Sequence, residues 1–184
     1  MTNAPAGKFR ISLLLGTVFC IIALAAGIFL MMNLPLANDS LVLIMGLLSW
    51  ILLWFFTHDL AHLVIGSITG IRFSYYYVGR SDIVKLKGFV PNSIKAAIIV
   101  LGLKIDRINS KASNAGFATM YVAGPLASML TPFFVPLVIL LRDSRSLAGL
   151  ILLIVSLVNL GFTSRFSPKV GCIAKAKRRL REKN

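Results

Sequence analysis

The sequence predicts an all-α integral membrane protein with four transmembrane helices and a cytoplasmic-side β-hairpin between the second and third, and three observations carry the prediction. Of the 184 residues, 57% are hydrophobic and 14% charged, with a mean hydropathy of +0.84. A soluble domain carries about 25% charged residues. Four long stretches lack charge altogether: 28 residues between Arg10 and Asp39, 18 between Asp39 and His58, 30 between Lys111 and Arg142, and 19 between Arg145 and Arg165. The net charge of +14 is also unevenly distributed along the chain.

Each uncharged stretch approaches or exceeds the ~20 residues that a helix needs to cross a bilayer. The predicted spans are about 11–33, 40–66, 113–141 and 146–163, in a single membrane domain covering 1–184. The first follows Lys8 and Arg10 as a signal peptide would, but its apolar core exceeds the ~7 to 15 residues of a cleaved signal, so it is expected to be retained as a helix. Lys and Arg number 2 before the first span, 0 after it, 8 between the second and third, 2 between the third and fourth, and 8 beyond the fourth. By the positive-inside rule both termini and the 67–112 segment are cytoplasmic. This arrangement accounts for the positive charge without nucleic acid as a partner. The membrane expected is a prokaryotic plasma membrane, and the basic tail 165–184 is placed to touch anionic lipid headgroups. Cys20 and Cys172 are too far apart in sequence and expected environment to form a disulfide framework.

Between the second and third spans the hydrophobic period shifts to two. Ile71, Phe73, Tyr75 and Tyr77 alternate with Arg72, Ser74 and Tyr76, Gly79 to Asp82 supply turn residues, and Val84 to Lys87 alternate again. This pattern predicts a hairpin over 71–90 at the membrane surface. The apolar run 96–103 is too short to span and is expected to be a further strand or an interfacial piece.

Asp59 is the only acidic residue within the four spans, and it lies between His58 and His62, the protein's two histidines. An ionisable group near the centre of a membrane helix costs at least ~2.5 to 3.5 kcal/mol, so three polar groups clustered there require a reason. At about 100° per residue, all three project within one 100° arc. Two histidines four apart on a helix with a carboxylate between them can grip one zinc ion while the acid addresses a bound water. A polar helix end bonded to headgroups or backbone carbonyls is the alternative.

The pattern His58-Asp59-Leu60-Ala61-His62 is followed by a surface hairpin, by Ala123-Gly124-Pro125-Leu126-Ala127-Ser128 in the third span, and by Asn159-Leu160 leading into the segment from Ser164 to Arg178. In this order the chain resembles the site-2 protease family of intramembrane zinc metalloproteases over about residues 40–178. The resemblance implies that His58 and His62 bind zinc, that Asp59 is the catalytic acid–base group, and that Gly124, Pro125, Ser128 and Asn159 line the substrate. The chain departs from the family pattern at three positions that carry chemistry. Asp59 replaces a Glu, drawing the carboxylate back by about one methylene. Ser128 stands where the family often has Asn. The last motif contains no Asp, which leaves Ser167, by spacing from Asn159, or Cys172, by local pattern, as the third ligand. A thiolate is the better zinc ligand, and Lys169 and Lys175 favour that form, so the expected set is His58, His62 and Cys172. An ordinary juxtamembrane thiol or a palmitoylation site is the alternative for Cys172.

The activity implied by the resemblance is zinc-assisted hydrolysis of peptide bonds in single-span membrane proteins. A catalytically silent relative that binds a membrane protein partner or joins a larger complex is the competing expectation. A small transporter is disfavoured, because Asp59 has no intramembrane charge partner in the sequence and no pair of broken helices is evident.

Overall fold

In the computed structural model the described residues are 9–35, 38–80 and 99–182. The chain runs β1 (Phe9–Ser12), α1 (Leu13–Met32), α2 (Asp39–Ile68), β2 (Arg72–Arg80), β3 (Ile99–Asp106), α3 (Asn114–Leu130), a 3-10 turn (Thr131–Phe133), α4 (Phe134–Arg142), α5 (Leu147–Val170) and α6 (Cys172–Arg181). Among the described residues, four helical stretches are long and apolar enough to cross a membrane: Leu13–Met32, Asp39–Ile68, Asn114–Arg142 and Leu147–Val170. The third comprises α3, the turn and α4, where Pro132 removes a backbone donor and the ladder tightens. The fourth extends seven residues beyond the expected 163, because Ser164 to Val170 continue the helix instead of beginning a tail.

Four helices start on a side-chain cap that accepts an otherwise orphaned backbone N–H: Ser12 from Leu15, Asn38 from Leu41, Ser113 from Gly116 and Ser146 from Gly149. At its other end α2 is closed by Gly70 in the left-handed region (φ +86°), and the Ile71 N–H returns to the Gly66 carbonyl at 2.8 Å. That reversal sends the chain directly into β2.

The expected four apolar helical stretches are present, with an antiparallel strand pair between the second and third, but the sheet is larger than one hairpin. A three-stranded antiparallel sheet is present in the order β1-β2-β3, with Phe9 opposite Val78 and Val78 opposite Leu101. The predicted strand after Ile71 exists, but among the described residues its partners are the segment before α1 and the apolar run after residue 98. The expected turn and second strand over 81–90 lie outside the described residues. A register shift between Phe73 and Tyr75 leaves Ser74 as an extra residue on β2. That bulge reverses the alternation. Phe73 packs against Gly66, and Tyr76, expected on the polar face, is completely buried against Gly16 of α1.

Helix α2 is central, flanked by α1, α3 and α5. At the end of the bundle away from the sheet, Val42, Trp50, Leu53, Val135, Ile139 and Leu152 form the largest buried apolar cluster. At the sheet end Cys20, Phe56 and Tyr76 form a second cluster, and Ile71, Phe117 and Met120 a third. Polar ties cross between the helices: Ser49 donates to the Gly27 carbonyl at 2.7 Å, and the Trp50 indole N–H donates to Ser156 at 2.8 Å. Exposed apolar side chains such as Leu14, Phe19, Ile22, Phe29, Leu141, Ile154 and Val158 cover the outside of the bundle, as expected of a surface solvated by lipid.

Candidate metal centre

His58 and His62 lie one turn apart on α2, about 15 Å and about 9 Å from its sheet-side end at 1.5 Å per residue. Cys172 is the first residue of α6, immediately past the break at Gly171. Helix α6 folds back along α3: Ala176 is buried, the Arg179 guanidinium lies over the Phe117 ring, and Asn114 donates to the Glu182 carbonyl. The basic tail expected over 165–184 is therefore, in its described part, the end of α5 followed by a docked helix. Docking brings the Cys172 sulfur to 3.5 Å from Nε2 of His62 and 3.8 Å from Nε2 of His58, and the two Nε2 atoms are 3.1 Å apart. His58, His62 and Cys172 form a group able to hold a metal ion.

Hydrogen bonding on the far side of each ring determines what these nitrogens can do. Nδ1 of His62 lies 2.6 Å from the Met120 carbonyl, which can only accept, so that nitrogen carries the hydrogen. Ser128 donates its hydroxyl hydrogen to the Pro125 carbonyl, so its oxygen is left to accept from Nδ1 of His58 at 3.2 Å. In the neutral rings both Nε2 atoms are then bare lone pairs facing one point. The single hydrogen of the Cys172 thiol can serve only one of them. A cation at that point serves all three, with the outer hydrogen bonds fixing tautomer and ring orientation as they do around bound metals. Tetrahedral zinc bonds of about 2.0 to 2.1 Å to nitrogen and about 2.3 Å to sulfur imply edges of about 3.3 Å and about 3.6 Å. The two sulfur–nitrogen distances bracket the longer edge and the nitrogen–nitrogen distance is shorter than the other by about 0.2 Å, so the donor set fits such an ion.

The other residues singled out in the sequence fall around this centre in distinct roles. Gly124 abuts the His62 ring, where a Cβ would lie 2.3 to 2.7 Å from three ring atoms. Pro125 is buried within α3 and supplies the carbonyl that orients Ser128. Asn159 on α5 donates to the Ser128 carbonyl at 3.0 Å, holding α3 in place. Asp59 is buried on α2 but does not belong to the group of three donors, and its carboxylate acts electrostatically on Cys20 of α1 and Tyr76 of β2. Burial pushes the Tyr76 phenol up to about 12, with Cys20 and Asp59 adding to the rise. Ser167 accepts from the Ile173 N–H at 3.3 Å and so caps the start of α6.

Sequence reasoning missed the Met120 carbonyl, a backbone group that no side-chain pattern reveals. It also missed the Cys20 and Tyr76 surroundings of Asp59, which depend on the bulge in β2. Comparison of the chain with family models, with curated proteins and with solved structures finds no match.

Proposed function

We propose that the protein is a divergent intramembrane zinc metalloprotease of the site-2 protease type, hydrolysing peptide bonds of single-span membrane proteins. The observation that carries this reading is the convergence of two bare imidazole nitrogens and one sulfur on a single point within a bundle of apolar helices. Zinc is the ion proposed because imidazole and thiolate together suit it, and because three protein ligands leave one position open as in catalytic zinc sites. When bound, it supplies Lewis-acid polarisation of a carbonyl and lowers the pKa of a bound water to about 7.

The remaining work falls to the chain. His58, His62 and Cys172 hold the ion, and Ser128 and the Met120 carbonyl orient the rings. Asp59 accepts the proton and returns it to the leaving amine, its shorter side chain working through a water. Gly124 lets α3 approach the centre, and Pro125 leaves the Tyr121 carbonyl without its helical donor beside it. Asn159 holds that stretch of α3 against α5. The sheet edge near the expected hairpin 71–90 receives an unwound substrate segment by strand addition. Both termini and the sheet face the cytoplasm of a prokaryotic cell, and water and protons reach the centre from that side.

A second reading, a zinc-bearing scaffold without hydrolysis that binds a membrane protein partner, is favoured by one observation: the electrostatic reach of Asp59 extends to Cys20 and Tyr76. Two measurements on detergent-purified protein separate the readings. Metal analysis is expected to give near one zinc per chain, falling sharply in His58→Ala, His62→Ala and Cys172→Ala but not in Ser167→Ala. Cleavage of a model single-span substrate is expected, and Asp59→Asn abolishes it while zinc stays bound. Zinc without cleavage in the native chain selects the scaffold.

A further inference from the structure

We infer that the protein carries a pocket for the phosphate headgroup of an anionic phospholipid, built around Arg72 and Lys111 where α2 ends and α3 begins. The pocket shares no residue with the metal centre, and the inference does not depend on the proposed protease activity.

A cavity of about 490 Å3 opens on the surface at the sheet end of the bundle. That volume lies within the ~300 to 1,000 Å3 of sites that take small molecules. Leu13 of α1, Leu63 of α2 and Phe73 of β2 form its apolar side, and Ser67, Arg72 and Lys111 contribute to its polar side. Two backbone hydrogen bonds fix the rim. The Lys111 N–H donates to the Gly70 carbonyl at 2.9 Å, and the Arg72 N–H donates to the Ser110 hydroxyl at 2.9 Å. They lock the turn after α2 to the loop before α3, and so hold two cationic residues from separate segments at the mouth of one cavity.

One carboxylate opposes this pair. Asp106 stands opposite Arg72 in the β2–β3 register and interacts with its charge, but it also accepts from the Asn109 side chain at 2.7 Å. The Lys111 ammonium has no hydrogen-bond or ion-pair partner among the described residues. Two cations against one carboxylate leave +1 at the mouth, and the exposed Arg107 of the same loop adds to it. Like charges held side by side repel, and an anion between them turns that repulsion into attraction. A phosphate suits the pair, since guanidinium matches it with a fork of donors and ammonium meets it as a point charge.

Depth in the bilayer identifies the source of that phosphate. Helix α2 is 30 residues long, about 45 Å, against ~30 Å of hydrocarbon, so its last turn reaches the headgroup layer. Ile68 and Ile108, next in sequence to the lining residues Ser67 and Asn109, are 76% and 95% exposed. Such side chains suit contact with lipid. Cations alone would serve a phosphate in water, whereas the wall of Leu13 and Leu63 fits the acyl portion of a lipid. Basic pockets between membrane helices at this depth recognise anionic headgroups by the same chemistry.

The test titrates the full chain in a neutral detergent, by calorimetry, with dioctanoyl phosphatidylglycerol, dioctanoyl phosphatidylcholine and glycerophosphoglycerol, the headgroup without acyl chains. Phosphatidylglycerol is expected to bind saturably and more tightly than either of the others. Equal binding of phosphatidylcholine means that net charge is not read, and equal binding of glycerophosphoglycerol assigns the pocket to a soluble phosphodiester; either result overturns the inference. Lys111→Met and Arg72→Gln are each expected to weaken phosphatidylglycerol binding about 10- to 100-fold, the scale of a charge-assisted hydrogen bond. Lys111→Arg retains binding, and Lys177→Met in the basic tail binds as the native chain does. Lys111→Met is the deciding variant, because its side chain is exposed and its replacement leaves the thermal melt unchanged. Undiminished binding by Lys111→Met, or loss in Lys177→Met instead, overturns the inference and leaves the metal centre untouched.

Discussion

Gly124 on α3 meets the His62 ring on α2 so closely that a methyl group there would lie 2.3 Å from Nε2. Of all the atoms near that methyl, the ones it strikes are those of a proposed ligand. The small residue in the Gly-Pro motif thus lets α3 approach the centre, and its effect on chemistry passes through the position of the imidazole.

Gly124→Ala is therefore expected to displace His62 and abolish stoichiometric zinc binding. Overpacking of this kind costs about 1 to 3 kcal/mol of stability. Metal content together with a thermal melt in detergent checks both. Retention of zinc by the folded variant contradicts the packing at this contact.

Ser128 holds His58 from behind. Replacing it with alanine leaves Nδ1 of His58 without its acceptor at 3.2 Å and frees the ring to turn. Loss of such an outer hydrogen bond weakens metal binding about 10- to 100-fold. Competition of Ser128→Ala against a zinc chelator measures the loss. Since Ser128 is buried and small, the fold itself is expected to survive.

Tyr76 is fully buried, and its hydroxyl completes no hydrogen bond of ordinary geometry. Such a group costs about 1 to 3 kcal/mol in desolvation, so Tyr76→Phe is expected to raise the melting temperature. The phenol ionises near 10 in the unfolded chain and near 12 in the folded one. Its contribution is therefore fully present below pH 10 and is lost as pH rises through about 12. The advantage of the phenylalanine variant grows over that interval. Melts at neutral and strongly alkaline pH decide the matter, and a less stable variant would mean that the hydroxyl has a partner after all.

The indole of Trp50 donates to Ser156 across the α2–α5 contact, with both groups buried. Hydrogen bonds between membrane helices average about 0.6 kcal/mol in double-mutant cycles and reach about 1.7. Ser156→Ala is expected to cost about 1 kcal/mol within that range, accompanied by a shift in tryptophan emission. A cycle with Trp50→Phe isolates the pair.

The four helical stretches were legible because lipid tolerates so little charge that gaps between Lys, Arg, Asp and Glu mark them directly. Where chemistry lies inside a span, the same signal marks the anomaly, and His58 and His62 were found in that way. Cys172 was legible from local motif resemblance, whereas spacing alone pointed to Ser167, whose hydroxyl in fact caps α6. The sheet was only half legible. Its middle strand alternates visibly, but β1 is four residues long and β3 begins as an unbroken apolar run, so neither announces a partner. The bulge at Ser74 then reversed the faces, and with them the surroundings of Asp59. Such a shift depends on pairing with a strand some thirty residues away, which no local window contains.

The sulfur of Cys172 stands 110 positions beyond the second imidazole in the chain. A ribosome must release all four of the long apolar stretches, and α6 must turn back, before the three donors can meet. Under the proposed function, capture of an ion at this point would be a late event in biogenesis, one that waits for α6 to be made and docked. An arrested or truncated product lacking its last helix would carry two histidines and no trap.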